Sequence, residues 1–124
     1  MALILIIEDD DQIRDVLRIM LEREGYEIIE ARNGLEGLKK FRENAVDLII
    51  TDIIMFGKDG VTTIMEVRKD SPAVKIIAIS GGARIGPDVY LQLADKVGAD
   101  RTLKKPIDRI ELLKTIDDLL KSPG

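Results

Sequence analysis

Apolar residues in this chain follow two rhythms, unbroken runs and helical repeats, and the two alternate from one end to the other. Leu3 to Ile7 is a continuous run of Leu and Ile, the pattern of a strand buried on both faces. Ile13, Val16, Leu17, Met20 and Leu21 then recur at helical spacing, with Gly25 placed to end the helix. A short strand is predicted around Tyr26 to Glu30, followed by a helix with Leu35, Leu38 and Phe41 on one face. Val46 to Thr51, with the apolar run Leu48 to Ile50 at its centre, reads as a second such strand, and a loop holding Gly57 and Gly60 follows it. Val61, Ile64, Met65 and Arg68 mark a third helix, and Val74 to Ile79 a further strand. After the glycine-rich stretch Gly81 to Gly86, Pro87 is suited to open a helix with Tyr90, Leu93, Ala94 and Val97 on its apolar side. A short strand near Arg101 to Leu103 leads into a last helix bearing Ile110, Leu113, Ile116 and Leu120.

Five βα units in about 120 residues predict an α/β fold, a doubly wound parallel sheet with helices on both faces. Residues 1–121 are read as one domain, with Ser122-Pro123-Gly124 as a helix stop or the stump of a linker. The apolar start, Met1 to Ile7, lacks a basic flank and a cleavage site and is too short to span a bilayer. Together with the absence of Cys, this sets a cytoplasmic location with no membrane insertion as the expectation.

Composition narrows the chemistry. The 124 residues contain no His, Cys or Trp, which removes imidazole and thiolate metal sites, disulfides and Ser–His or Cys–His catalysis. Nineteen basic residues against 23 acidic ones give a net charge of −4. That balance offers no general electrostatic basis for direct nucleic-acid binding. What remains is carboxylates, ammonium groups, hydroxyls, backbone groups and an oxygen-loving metal.

In an open parallel sheet the site lies beyond the carboxyl ends of the strands. Glu8-Asp9-Asp10-Asp11 follows the first strand, Asp52 the third, Ser80 the fourth, and Lys104-Lys105-Pro106 the fifth. Carboxylates without imidazole or thiolate suit Mg²⁺, which keeps several waters and takes one or two carboxylates plus phosphate oxygens. A Lys and a Ser beside it would meet the remaining oxygens of a phosphoryl group. An Asp so placed also suits nucleophilic attack, giving an aspartyl phosphate. One of Asp10 and Asp11 is expected to cap the first helix.

The stretches ILIIEDD (4–10), DLIITDIIM (47–55), KDG (58–60), IIAIS (76–80) and LKKP (103–106) resemble, in order and over essentially the whole chain, the receiver domain of two-component response regulators, the CheY-like family. The resemblance implies a flavodoxin-like (βα)5 sheet of strand order 2-1-3-4-5. It implies Asp52 as phosphoacceptor, Asp9 as main metal ligand with Glu8 assisting, and the backbone carbonyl of Ile54 as a further ligand to Mg²⁺. Ser80 would be the switch hydroxyl, Lys105 would pair with phosphoryl oxygens, and Lys105-Pro106 would be a cis peptide. The phosphoryl group would come from a phosphohistidine on a sensor histidine kinase or histidine phosphotransfer protein, because the chain has no histidine of its own. The output would be an altered protein–protein interaction with an unidentified target, a phosphorylation-linked dimer among the options.

Departures from the family pattern are Phe56 in place of Pro, Thr102 where an aromatic switch often stands, and Ile107 in place of Phe. They leave room for a receiver-like scaffold that works without phosphorylation. A Mg²⁺-dependent aspartyl-phosphate phosphatase is disfavoured, because Ile54 stands where such an enzyme carries its acid–base Asp. Asp59-Gly60 reads as a turn followed by a helix start. Gly81 to Gly86 is a loose GxGxxG with Ala83 in the middle glycine's place, read as a loop over the site rather than a dinucleotide cradle. Arg14, Arg18 and Glu22 on the first helix form the candidate surface for kinase docking.

Overall fold

The computed structural model describes residues 2–53, 60–80 and 98–121. Within them, five parallel strands form one sheet in the order β2-β1-β3-β4-β5: β1 (Leu3–Ile7), β2 (Glu27–Ala31), β3 (Leu48–Asp52), β4 (Lys75–Ser80) and β5 (Arg101–Lys104). The described helices are α1 (Asp11–Arg23), α2 (Gly34–Glu43), α3 (Gly60–Asp70) and α4 (Arg109–Lys121). The expected helix after Pro87, the loop Gly81 to Gly86, Ile54, Phe56 and the tail 122–124 lie outside the described residues.

Alternation along each central strand builds two cores. Leu5 and Ile7 of β1, Ile49 of β3, and Ile76 and Ala78 of β4 face one way, onto Leu38 of α2 and Ile64 and Val67 of α3. Ile4, Ile6, Leu48, Ile50, Ile77 and Ile79 face the other way, onto Leu17 and Leu21 of α1 and Leu112, Ile116 and Leu119 of α4. Each such side chain, wholly removed from water, contributes about 1.5–3 kcal/mol. With both sheet faces buried, these strands have no polar side to display, which is why they read as unbroken runs.

Three of the described helices begin at a side-chain cap. Asp10 accepts from the backbone N–H groups of Gln12 and Ile13 at 2.9 and 3.1 Å, so Asp10 rather than Asp11 caps α1. Asn33 accepts from Glu36 N at the start of α2, and Asp108 from Glu111 N at the start of α4. These side-chain oxygens satisfy N–H groups that have no partner within the helix.

Helix faces differ from expectation at several residues. Val16, Leu35, Met65 and Ile110, all placed by periodicity on apolar faces, are exposed, whereas Leu112 and Leu119 are buried. In α4 the sequence ELLKTIDDLL has adjacent Leu pairs, so more than one stripe satisfies a helical period. The buried stripe is the one that meets Ile77 and Leu103.

Candidate functional site

Three strand ends converge at one rim of the sheet. Ile7 pairs in register with Thr51, and Asp52 with Ile79, so Glu8 leaves β1 beside the end of β3. Glu8 and Asp52 are buried, at 3% and 6% exposure, and Asp9 is half-buried. One carboxylate oxygen from each of Glu8, Asp9 and Asp52 lies within 4.8 Å of the other two. Lys105, one residue beyond β5, reaches over the end of β4. Its Nζ lies 2.7 Å from Asp52 Oδ2 and 2.8 Å from Glu8 Oε1.

Backbone contacts hold this rim in place. Glu8 N donates to Ala31 O at 3.0 Å, tying the turn after β1 to the end of β2. Asp10 N donates to Glu8 Oε2 at 3.2 Å. Thr51 Oγ1 donates to the Asp52 carbonyl. Ile53 N donates to Ile79 O, extending the β3–β4 pairing one residue past Asp52. The Lys105-Pro106 peptide is cis, as the resemblance implied.

Burial pushes the Glu8 carboxyl up from its usual 4.5 to about 7, with the neighbouring Asp52 adding to the rise and the Lys105 hydrogen bond opposing it. For Lys105, burial works against the ammonium, yet its bonds to Asp52 and Glu8 prevail and hold its pKa above the usual lysine value. Among the described residues, three carboxyl groups thus gather around one ammonium. Oxygen donors at this spacing fit a hard divalent cation, which would bring the positive charge that Lys105 alone does not supply.

Of the residues expected at the site, Glu8, Asp9, Asp52 and Lys105 come together. Ser80 ends β4, paired with Lys104, and its side chain, like the Ile54 carbonyl, lies outside the described residues. Thr102 is half-buried within β5 and Ile107 packs against the α1–α4 core.

Of the residues expected to form the docking surface, Glu22 is exposed and Arg18 half-buried. Arg14 is turned inward, 11% exposed, and donates to the Glu8 carbonyl and to Asp11. Arg18 is occupied by Glu22 and Glu30. Val16 and Ile19 add exposed apolar surface to α1 beside the exposed Asp11, Gln12, Asp15, Glu22 and Arg23. An open groove of about 630 Å³ is lined by Ile13, Val16 and Met20 on one side and Lys105, Pro106 and Ile107 on the other.

Gly60 takes a part at the site that its sequence context does not disclose. A Cβ there would stand 2.2 Å from the Asp52 carbonyl oxygen and 2.5 Å from Ile53 Cα. The first turn of α3 therefore lies directly on the backbone that carries Asp52. The Asp59-Gly60 pair is a turn signal, but the close approach depends on tertiary packing that no local motif records.

The chain matches the family model of the response regulator receiver domain over residues 4–117. It is 36% identical over 121 residues to the transcriptional regulatory protein CseB of Streptomyces avermitilis, covering 98% of this chain and 50% of that protein. It is 31% identical over 117 residues to the chemotaxis protein CheY of Halobacterium salinarum, covering 94% and 95% respectively. Among solved structures, a receiver domain protein from Clostridium thermocellum superposes with a TM-score of 0.89 at 31% identity, over 97% of this chain and 94% of that one. The response regulator TrrA of Thermotoga maritima, solved in complex with Mg²⁺–BeF, gives 0.83 at 35% identity over 96% and 99%. The chain thus spans nearly all of that CheY but only half of CseB, and 26% of the Escherichia coli regulator GlrR.

Proposed function

The chain belongs to the response regulator receiver family, and from that membership we propose that Asp52 accepts a phosphoryl group from a phosphohistidine on a histidine kinase or phosphotransfer protein. The carrying observation is the buried Asp52 carboxylate, within 4.8 Å of the Glu8 and Asp9 oxygens and 2.7 Å from Lys105 Nζ. In the transfer a carboxylate oxygen of Asp52 bonds to phosphorus as the phosphorus–nitrogen bond of the donor breaks. The electron pair stays with the imidazole nitrogen, which takes a proton. Hydrolysis returns Asp52 and inorganic phosphate.

Glu8, Asp9 and Asp52 would hold Mg²⁺, with the Ile54 carbonyl as the further protein ligand. When bound, Mg²⁺ neutralises the charge that the carboxylates and the incoming phosphoryl oxygens share. Lys105 would exchange its bond to Asp52 Oδ2 for a phosphoryl oxygen, keeping an ammonium against the added charge. Ser80 would donate its hydroxyl to the same group. TrrA, solved with Mg²⁺–BeF, supports reading this rim as a place for a metal and a phosphoryl-like group.

The donor docks over the apolar groove between α1 and Pro106-Ile107. Lys105 is a wall of that groove and bonds to the acid cluster, so a helix seated there would have its histidine close to Asp52. The output is a changed protein contact, in keeping with the chain's acidic balance.

Intact mass after incubation with a small acyl-phosphate donor and Mg²⁺ tests the reading. Wild type should gain one phosphoryl group; Asp52→Asn, and wild type without metal, should gain none. An unmodified wild type, folded and supplied with Mg²⁺, would leave the receiver-like scaffold as the better account.

A further inference from the structure

We propose that Arg14 is a positioning residue for cation binding, acting through the backbone of the turn that presents Glu8 and Asp9. The inference rests on reading those carboxylates as the metal ligands. Arg14 Nη1 donates to the carbonyl oxygen of Glu8 at 2.8 Å, and Nη2 to Asp11 at the start of α1. One planar guanidinium thereby joins the end of β1 to the first turn of the helix, with Asp9 and Asp10 in the span between. Neither bond goes to a carboxylate of the acid cluster.

The rest of the turn is fastened on its other sides. Glu8 N is held by Ala31 O, and Glu8 Oε2 accepts from Asp10 N. Asp10 in turn caps α1. The Glu8 carbonyl is the group on which Arg14 acts, and at 11% exposure the guanidinium is sheltered enough for the bond to carry weight. Lys carries the same charge but has no fork with which to bridge two acceptors in fixed geometry.

Simple electrostatics and positioning predict opposite signs. Arg14 is a cation beside a site for a dication, so removing it should tighten Mg²⁺ binding if its charge were what mattered. If it orients the ligands through their backbone, removing it should loosen binding, as losing an outer-shell support does.

The test is calorimetric titration of the full chain with MgCl2, beside thermal melts without metal. Arg14→Gln is expected to weaken Mg²⁺ binding about tenfold, and Arg14→Lys about threefold despite its unchanged charge. Arg18→Gln, also on α1, should bind as wild type does. Mg²⁺ affinity equal to or tighter than wild type in Arg14→Gln overturns the inference, and so does a lower melting temperature with unchanged affinity, which marks Arg14 as structural only. Should Arg14→Gln fail to fold, Arg14→Lys decides: weaker binding supports positioning and wild-type binding refutes it. A wild type that takes up no Mg²⁺ refutes the metal-site reading itself, and with it this one.

Discussion

The two ends of the sheet each hold half-buried or buried charge, and they resolve it in opposite ways. At the amino end Arg68 donates to the carbonyls of Gly98, Pro72 and Val74 and to Asp100 Oδ2. Asp100 Oδ2 also accepts from Ile76 N at 2.7 Å. One cation meets one anion there, and the remaining guanidinium donors end on carbonyls. The result is a fastening that joins α3, the entry to β4 and the entry to β5. At the carboxyl end Lys105 faces Glu8 and Asp52, with Asp9 alongside. Among the described residues, three carboxyl groups meet one ammonium there, two of them buried. The Arg68 pair fastens the fold, whereas the carboxyl-end acids crowd like charges together at the expense of stability.

That contrast breaks down if the two cations behave alike. Arg68→Met and Lys105→Met should each lower stability by about 3 kcal/mol in urea unfolding, since each strands a partly buried carboxylate. Millimolar Mg²⁺ should restore much of the loss in Lys105→Met and none in Arg68→Met, while only Lys105→Met loses phosphoryl adduct. Gly60→Ala should cost about 2 kcal/mol by overpacking. Because the displaced atoms are the Asp52 carbonyl and Ile53 Cα, it should also slow adduct formation, which Arg68→Met, despite its larger expected loss of stability, should not. A smaller effect concerns pH. Glu8 keeps its proton up to about pH 7 in the folded chain but releases it near 4.5 when unfolded. The metal-free fold therefore binds more protons between those values, and its stability should fall by on the order of 2 kcal/mol as pH rises through them. The contribution is complete below about pH 4.5, and Glu8→Gln should flatten the profile. The smallest effect is expected at Arg18→Ala, whose pairs with Glu22 and Glu30 are solvent-screened. A loss in urea unfolding as large as that of Arg68→Met would mean that screened pairs hold this fold as firmly as sheltered ones.

The strands and the acid rim were legible because their physics is local. β1, β3 and β4 are buried on both faces, so each appears as an unbroken run, and its carboxyl end is simply where the run stops. The residues after those stops are Glu8, Asp9 and Asp52, and Lys105 follows β5. Helix faces were less legible: Leu35 and Ile110 fit an apolar period as well as Leu38 and Ile116 do, and only the sheet beneath chooses between them. Arg14 and Arg68 were illegible for a different reason. An arginine on an amphipathic helix reads as a solvated charge, yet both work by donating to backbone carbonyls in other segments. Gly60 belongs with them, since the Asp52 carbonyl that a side chain there would strike lies eight residues back in the chain.

The reach of Lys105 has a consequence for how the molecule comes into being. From β1 to β5 is three strand spacings, about 14 Å, and this one side chain ties the edge of the sheet to Glu8 in its interior. The acids are encoded in the first half of the chain and their counter-charge in the last fifth. A partly synthesised or frayed chain, with β5 undocked, holds the acids but not the ammonium that faces them. On the proposed reading, competence to receive a phosphoryl group therefore depends on β5 being docked at the edge of the sheet.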